Sequence, residues 1–457
     1  MGPHGRRRHA RVVARVATLL LLTPLFTVAE LPGGSTPPAA ATPVTIDGCE
    51  VDVTLANGDL PDGAIVSRDE TTTDDHYVKV GKATGSSDCV LEFVKPAVEM
   101  IWNIPDHVDD FEALVLAGGG GGGLAGGGAG GLYDTYGADG STTASVSVPA
   151  TSTKAKVFVG DGGSGNSYTT RGHNGADSAL IFETDPGFAD LGGVQTLSDQ
   201  YGGNISPQPV VSETRIVMAG GGGGAHNQQK GSDGGSGGGA GTNSQNPGFF
   251  LKSSYGNRGG FGDFDAKFYG GGGGGAGEIG GNADNTVGSF GKGGDGGDGL
   301  ETAITGESTW LGGGGAGAFG SGSSSASSPG QGGGGDSEQN DGTEHGEDRK
   351  GAGGGGTSSA NAGDGGSGVV VVRFAPPPVE PAPVLGDVTR LDGGFRVPVV
   401  NVGEYPGSVT LSATVSGESD GSTGDASVSD GVVTVSGLAD GESATVTVVA
   451  SAGGFSP

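Results

Sequence analysis

Apolar residues alternate with polar ones in short runs at both ends of the chain, and the middle keeps a different pattern. From Val44 to about Pro96, "TPVTIDGCEVDVTLANG" and "HYVKVGKATG" follow a period of two and are bounded by Asn-Gly and Thr-Gly, which reads as short strands and turns. After residue 384, "VLGDVTRL", "FRVPVVNV", "SVTLSATVSG", "VSDGVVTVSGL" and "ESATVTVVAS" repeat that alternation at near-regular spacing, the pattern of a β-sandwich. Between them, residues 97–374 place apolar or aromatic stretches directly before glycine tracts: "ALVLAGGGGGG", "TRIVMAGGGGG", "AKFYGGGGGG" and "STWLGGGG". Further strand-like pieces are "ASVSVPA", "KAKVFVG" and "DSALIF", and the region ends on "GGSGVVVVRF". Val369 to Val372 are the strongest strand signal in the chain.

Glycine and proline change how that middle is read. With 103 Gly and 23 Pro in 457 residues and no Gly-X-Y period, composition alone indicates low complexity and excludes collagen. The apolar edges of the glycine tracts argue against a floppy spacer, because disorder-prone tracts lack β-branched and aromatic residues. A four-valine strand needs partners for its backbone and cover for its side chains, and the strands that launch the glycine tracts are the nearest candidates. Without Cβ atoms, left-handed helices of the polyproline II kind can lie unusually close and bond sideways to one another. The expected fold class is therefore all-β: strands framing a packed polyglycine II-type bundle, with a C-terminal sandwich.

The arrangement "WNIPDHVDDFEALVLAGGGGGG", "VSVPATSTKAKVFVGDGG", repeated Gly blocks and a closing "GGSGVVVVRF" resembles the glycine-rich domain of many bacterial secreted proteins. It also resembles the glycine-rich extracellular domain of the anaplastic lymphoma kinase receptor and, more loosely, phage tail-tip adhesins. The resemblance covers roughly residues 90–374. It implies strands combined with packed polyglycine helices, and scaffolding, display or adhesion rather than catalysis. Polar inserts such as "SEQNDGTEHGEDRK" (337–350) are then expected as loops on one face. "VSGLADGESATVTVVASAGG" is similar to the end of a fibronectin type III domain, with Ala444 where that family carries Tyr and with no early-strand Trp. The chain stops at Pro457, about where a last strand would begin, so this module is expected to be incomplete or to borrow a strand.

The ends and the charge set the context. Residues 1–29 combine a basic start, "GRRRHARVVAR", with a short apolar stretch, "VATLLLLTPLFTVA", as a cleaved secretory signal does; the apolar stretch is too short to span a membrane comfortably. Its removal takes five Arg and no acid, carrying the formal charge from −29 to −34. Such a chain repels nucleic acid and anionic lipid. No second long apolar stretch follows, so no membrane span is expected after signal removal. Residues 30–43 form a Pro-containing linker and 375–383, "APPPVEPAP", a stiff hinge. The expected layout is thus signal 1–29, linker 30–43, disulfide-closed β cap 44–96, glycine-rich domain 97–374, hinge 375–383 and fibronectin type III-like sandwich 384–457. In an exported chain the two cysteines, Cys49 and Cys89, pair as one disulfide.

Candidate chemistry is thin. "GGSGG" (234–238) matches a nucleophile elbow by composition alone, without the strand-to-helix context that would activate Ser236. The Gly-x-Gly-x-x-Gly matches lack a following helix, and "SFGKGG" lacks the Ser or Thr of a phosphate loop. "GGDGGDGLE" (293–301) fits one calcium-binding nonapeptide through Asp295 and Asp298, but the next nine residues do not repeat it. "ESDGSTGDASVSDG" (418–431) reads as a solvated turn before it reads as a calcium loop. His345 stands among acids in "EHGED", while His76, His107, His173 and His226 are scattered. No catalytic residue and no cofactor is expected. The sequence reads as a secreted, non-catalytic scaffold or adhesin near the cell surface, binding an unidentified extracellular protein or glycan. The rival readings are a disordered or purely structural envelope spacer and an ice- or carbohydrate-binding protein.

Overall fold

The computed structural model describes residues 43–377, apart from 74, 192–193, 195–208, 243, 245, 264–268, 285–290, 320–326, 338–343 and 360. It also describes 389–391, 394–398, 409–416, 425–430, 432–436 and 445–452. The expected signal (1–29), the linker up to residue 42 and the hinge from residue 378 lie outside the described residues. One compact unit spans Pro37–Pro376, and the C-terminal strands belong to a second. Every regular element among the described residues longer than a single turn is a strand, so the fold is all-β.

Two seven-stranded sheets form the base of the larger unit. The first orders β1 (Val44–Ile46), β2 (Cys49–Leu55), β6 (Glu99–Asn103), β10 (Lys154–Phe158), β11 (Ser178–Phe182), β13 (Arg215–Met218) and β12 (Val210–Val211). The second orders β3 (Ile65–Ser67), β4 (Val78–Lys82), β5 (Cys89–Phe93), β16 (Val369–Phe374), β7 (Asp110–Leu116) and β8 (Leu132–Asp134), with β9 (Val146–Ser147) also on β7. Strands from the expected cap, 44–96, enter both sheets: β2 pairs with β6, and β5 with β16.

Period two explains the core between the sheets. Cys49, Val51 and Val53 of β2 point inward, as do Met100 and Trp102 of β6 and Leu180 and Phe182 of β11. They meet Leu91 and Phe93 of β5, Phe111 and Val115 of β7, and Val370, Val372 and Phe374 of β16. Trp102 anchors this layer, edge-on to Phe111 at 5.3 Å between centroids and stacked with Phe374 at 5.9 Å.

β16 reads as an unbroken apolar run because both its faces are covered. Val369 and Val371 enter a second cluster on the outer face, closed by Ile304 and Leu311 from the hairpin β14 (Leu300–Thr302) and β15 (Thr309–Leu311). Arg373 also faces this side. Its Nε and Nη2 donate to Asp88 Oδ2 at 3.0 and 2.8 Å, Nη1 donates to Ile304 O at 3.3 Å, and the guanidinium lies 4.4 Å from the Tyr136 ring centroid. Val369 pairs with Leu116 of β7, so a strand that launches a glycine tract is indeed beside the valine strand. The other neighbour, β5, is the strand that carries Cys89.

Cys49 and Cys89 form a disulfide across the sandwich, 40 residues apart in sequence with Cα atoms 5.6 Å apart. At the rim, His107 lies 6.2 Å from the Phe374 ring. Burial pushes its imidazole below the ordinary value of 6.5, opposed by a hydrogen bond to the Ala375 backbone and by Glu50 and Asp106. A histidine whose folded pKa is depressed binds its proton more readily in the unfolded chain, so stability is lost as pH falls below the unfolded value. Between pH 7.5 and 5 the protein is expected to lose more thermal stability than the His107→Gln variant, as measured by melting temperature. An equal loss in both would place the acid sensitivity elsewhere.

In the second unit, β17 (Thr389–Leu391), β18 (Gly394–Pro398), β21 (Val432–Ser436) and β20 (Asp425–Ser429) make one sheet, and β19 (Val409–Ser416) pairs with β22 (Thr445–Ala452). Part of the expected solvated turn at 418–431 is therefore strand β20, with residues 417–424 outside the described set.

Candidate functional site

The glycine tracts continue the sandwich strands outward. Residues 118–123 leave β7, and their backbone donors turn through three directions with a period of three. Gly118 and Gly121 donate to Ala176 and His173 at 3.0 and 2.9 Å. Gly119 and Gly122 donate to Gly366 and Gly363 at 2.9 and 2.8 Å, and Gly120 and Gly123 to Gly128 and Ala125 at 2.8 and 2.9 Å. The carbonyls face three further runs by the same rule. Gly118 and Gly121 accept from Gly221 and Gly224, Gly119 and Gly122 from Gly163 and Asn166, and Gly120 and Gly123 from Gly354 and Thr357. One run thus sits among six, donating to three and accepting from three. That is the threefold arrangement of polyglycine II, with its lateral hydrogen bonds closed by protein rather than water.

The same bonding relations order the runs into five layers. The middle layer holds 162–166, 118–123, 125–131, 270–276 and 280–284. On one side lie 172–176, 220–225, 236–241 and 256–262, capped by 231–235 and 246–251. On the other lie 362–367, 352–357, 312–318 and 293–299, capped by 344–348, 334–337 and 327–331. Spacing this close leaves no room for side chains. A Cβ on Gly119 would stand 1.9 Å from the Ala352 carbonyl oxygen, and one on Gly120 2.3 Å from that of Gly222.

Run direction follows from the strands. β7, β10, β13 and β15 feed runs leaving the sandwich, while β8, β11, β14 and β16 receive runs returning. Parallel and antiparallel registers then orient the remaining runs. Among the described residues the chain reverses at the end away from the sandwich around Leu124, between 166 and 172 and between 225 and 231. The described reversals 166–172 and 225–231 are polar, so this end is the candidate site. Within the 337–350 insert, expected as a loop, Glu344, Gly346 and Glu347 belong to the bundle, donating to Asp336 at 3.3 Å, Asp364 at 2.8 Å and Gly333 at 2.9 Å.

The described residues at this end are polar. Arg171 and His226 are half-buried, and Asn166 Nδ2 donates to the Arg171 carbonyl at 2.9 Å. Burial lowers the Arg171 guanidinium, with Asp233 acting against the shift. Burial and then the Arg171 charge lower the His226 imidazole, which favours its neutral form. Such a surface can exchange hydrogen bonds and present a cation.

Apart from His226, the residues that the sequence motifs single out are engaged in hydrogen bonds within the protein. Ser236 is wholly buried in the bundle, where its Oγ donates to Gly275 O at 3.0 Å and accepts from Asn257 N at 3.3 Å. Asp295 Oδ1 accepts from Ser328 N at 2.6 Å and Asp298 Oδ1 from Gln331 N at 2.7 Å. Their three-residue spacing matches the polyglycine period, so two carboxylates on one run serve two successive donors of the next. Asp295 also pairs with Lys292 at 2.7 Å. His345 Nδ1 accepts from Asp364 N at 2.9 Å, and His76 Nδ1 from Thr73 N at 3.2 Å. Among the described residues no group of three or more His, Cys, Asp or Glu could hold a metal ion. No helix among them is long and apolar enough to cross a membrane.

A family model described as a glycine-rich domain matches residues 95–375, from just after β5 to just after β16. The chain belongs to that glycine-rich domain family. The matched span holds the whole polyglycine bundle and leaves out β1–β5, which complete the sheets of the glycine-rich domain from outside the match. No curated protein matches the chain. What sequence reasoning missed is the use of Asp and Asn side chains as substitute acceptors beside the glycine runs. Asp364 Oδ1 takes Gly165 N at 2.7 Å, Asp177 Oδ1 takes Gly220 N at 3.0 Å, and Asn174 Oδ1 takes Gly223 N at 2.9 Å. The signal available was Asp or Asn recurring three residues apart within glycine.

Proposed function

We propose that this glycine-rich protein is a secreted, non-catalytic scaffold or adhesin that displays the loop-bearing end of its bundle for extracellular binding near the cell surface. The observation that carries this reading is the common end at which the described polar reversals 166–172 and 225–231 lie, on a base closed by its own hydrogen bonds. Binding residues commonly sit on loops held by a rigid scaffold. The signal-like residues 1–29, the likeness to bacterial secreted glycine-rich proteins and the fibronectin type III-like pattern of 384–457 support export and a multi-part extracellular chain. The partner is an extracellular protein or a glycan.

Limited proteolysis of the unreduced protein, with fragment masses mapped, tests the scaffold. A protease-resistant core ending near Phe374, cut only at the polar reversals, is expected. Rapid cleavage inside runs such as 118–131 would sink the scaffold and leave a solvated tether. Binding is tested by exchanging 226–229 for Gly-Ser on the intact protein, with Lys230 kept: captured extracellular protein or glycan should be lost while the melting temperature holds.

A further inference from the structure

The two outermost layers of the bundle differ in charge. On the side capped by 231–235 and 246–251, cations lie over aromatic rings: Lys230 is 5.3 Å from the Phe249 centroid, Lys252 4.8 Å from Tyr255 and Arg258 4.9 Å from Phe261. Asp233 pairs with Lys230 at 2.9 Å, and its charge also acts on Arg171. Phe249 is 49% exposed, one of the few large apolar side chains among the described residues that solvent reaches. A protein of formal charge −29 has thus gathered cations and an exposed ring on one face.

The opposite side, capped by 344–348, 334–337 and 327–331, is acidic. Glu344, Glu347 and Asp348 are exposed there, beside Asp364 on the adjoining run. Lys350 pairs with Glu347 at 2.6 Å. Asp161 on the flank has its carboxyl pushed up, first by burial and then by the charges of Asp348 and Asp364. The charges of Asp348 and Asp364 thus reach a carboxylate on a neighbouring run.

We infer that the cation-and-aromatic face of one molecule docks on the acidic face of a second copy, joining chains head to tail. The two faces are different surfaces on opposite sides of one body, so the contact is heterologous and its repetition leaves a free face at each end of an open row. Charge complementarity at contact range selects the pairing, and Phe249 supplies the apolar area that loses water. The two chains repel at long range through their net charge. In about 0.15 M salt that repulsion is screened beyond about 8 Å, while opposed faces still attract. The inference is independent of what the loop-bearing end binds.

Sedimentation of the full protein over the micromolar range tests it with two triple variants. One neutralises the cations (Lys230→Gln, Lys252→Gln, Arg258→Gln), and the other the acids (Glu344→Gln, Glu347→Gln, Asp348→Asn). The unaltered protein should form concentration-dependent oligomers in about 0.15 M salt and dissociate in about 1 M salt, where screening shortens to about 3 Å. Each variant alone should associate at least tenfold more weakly. Mixed together they should give one-to-one dimers and nothing longer, because each retains one intact and different face. Melting temperatures close to that of the unaltered protein would show that the variants are folded. A protein that stays monomeric throughout, or a cation-neutralised variant that assembles as well as the original, would overturn the inference; binding to an added acidic polysaccharide by a monomer would assign the face to that partner instead.

Discussion

Replacing Gly127 with Ala is expected to cost about 3 kcal/mol of stability or more, the upper range for overpacking in a closed interior. The new methyl would stand 1.9 Å from the carbonyl oxygen of Gly120 on the neighbouring run. Relief by side-chain rotation is unavailable, because the obstacle is backbone. Gly127 also donates to Gly354 at 2.9 Å and its carbonyl accepts from Gly315 at 2.9 Å, so moving the run away loosens bonds on other sides. Gly140→Ala is the matched control. That glycine has φ +78° with nothing within 4 Å of its added Cβ. Its substitution strains only the local backbone, by about 1–2 kcal/mol. Thermal and denaturant unfolding of the two variants should separate them clearly. Similar losses would mean that conformational freedom, rather than close approach, explains the glycines.

Breaking the Cys49–Cys89 bond should cost a comparable amount. A cross-link closing about 40 residues removes chain entropy from the unfolded state worth about 4 kcal/mol in the loop-entropy model. Both sulfurs are buried between the sheets, where β2 and β5 belong to different sheets, so the bond also ties the two halves of the sandwich together. The double variant Cys49→Ala/Cys89→Ala should unfold at markedly lower denaturant concentration. The unaltered protein should fall by a similar amount on full reduction. A double variant with an unchanged midpoint would mean that the sandwich interface holds without its cross-link.

Much of the framework is legible in the residue pattern. Four valines in a row demand cover on both faces, and β16 receives it from the inter-sheet core and from the β14–β15 hairpin. Apolar residues at the edges of glycine tracts imply strands feeding an ordered bundle, and β7 and β13 do so. The disulfide follows from having two cysteines in a chain read as exported. Asp295 and Asp298 are legible only as oxygen donors. Their employment as acceptors for Ser328 and Gln331 depends on which run lies beside them. Ser236 shows the same limit: its motif speaks of exposure, and its burial follows from the runs that surround it.

Residue order alone dictates the all-β class, the strands, the disulfide and the requirement that the glycine tracts approach one another closely. Composition and alternation suffice for these, because bare backbone and alternating side chains each favour one kind of neighbour. Only the folded chain reveals which tract lies beside which, that β5 borders β16, and that cations and acids collect on opposite faces. A polyglycine run offers the same donors and acceptors to any other run, so its partners carry no local signature. They are chosen by the strands that hold the run's ends and by the layers that close around it.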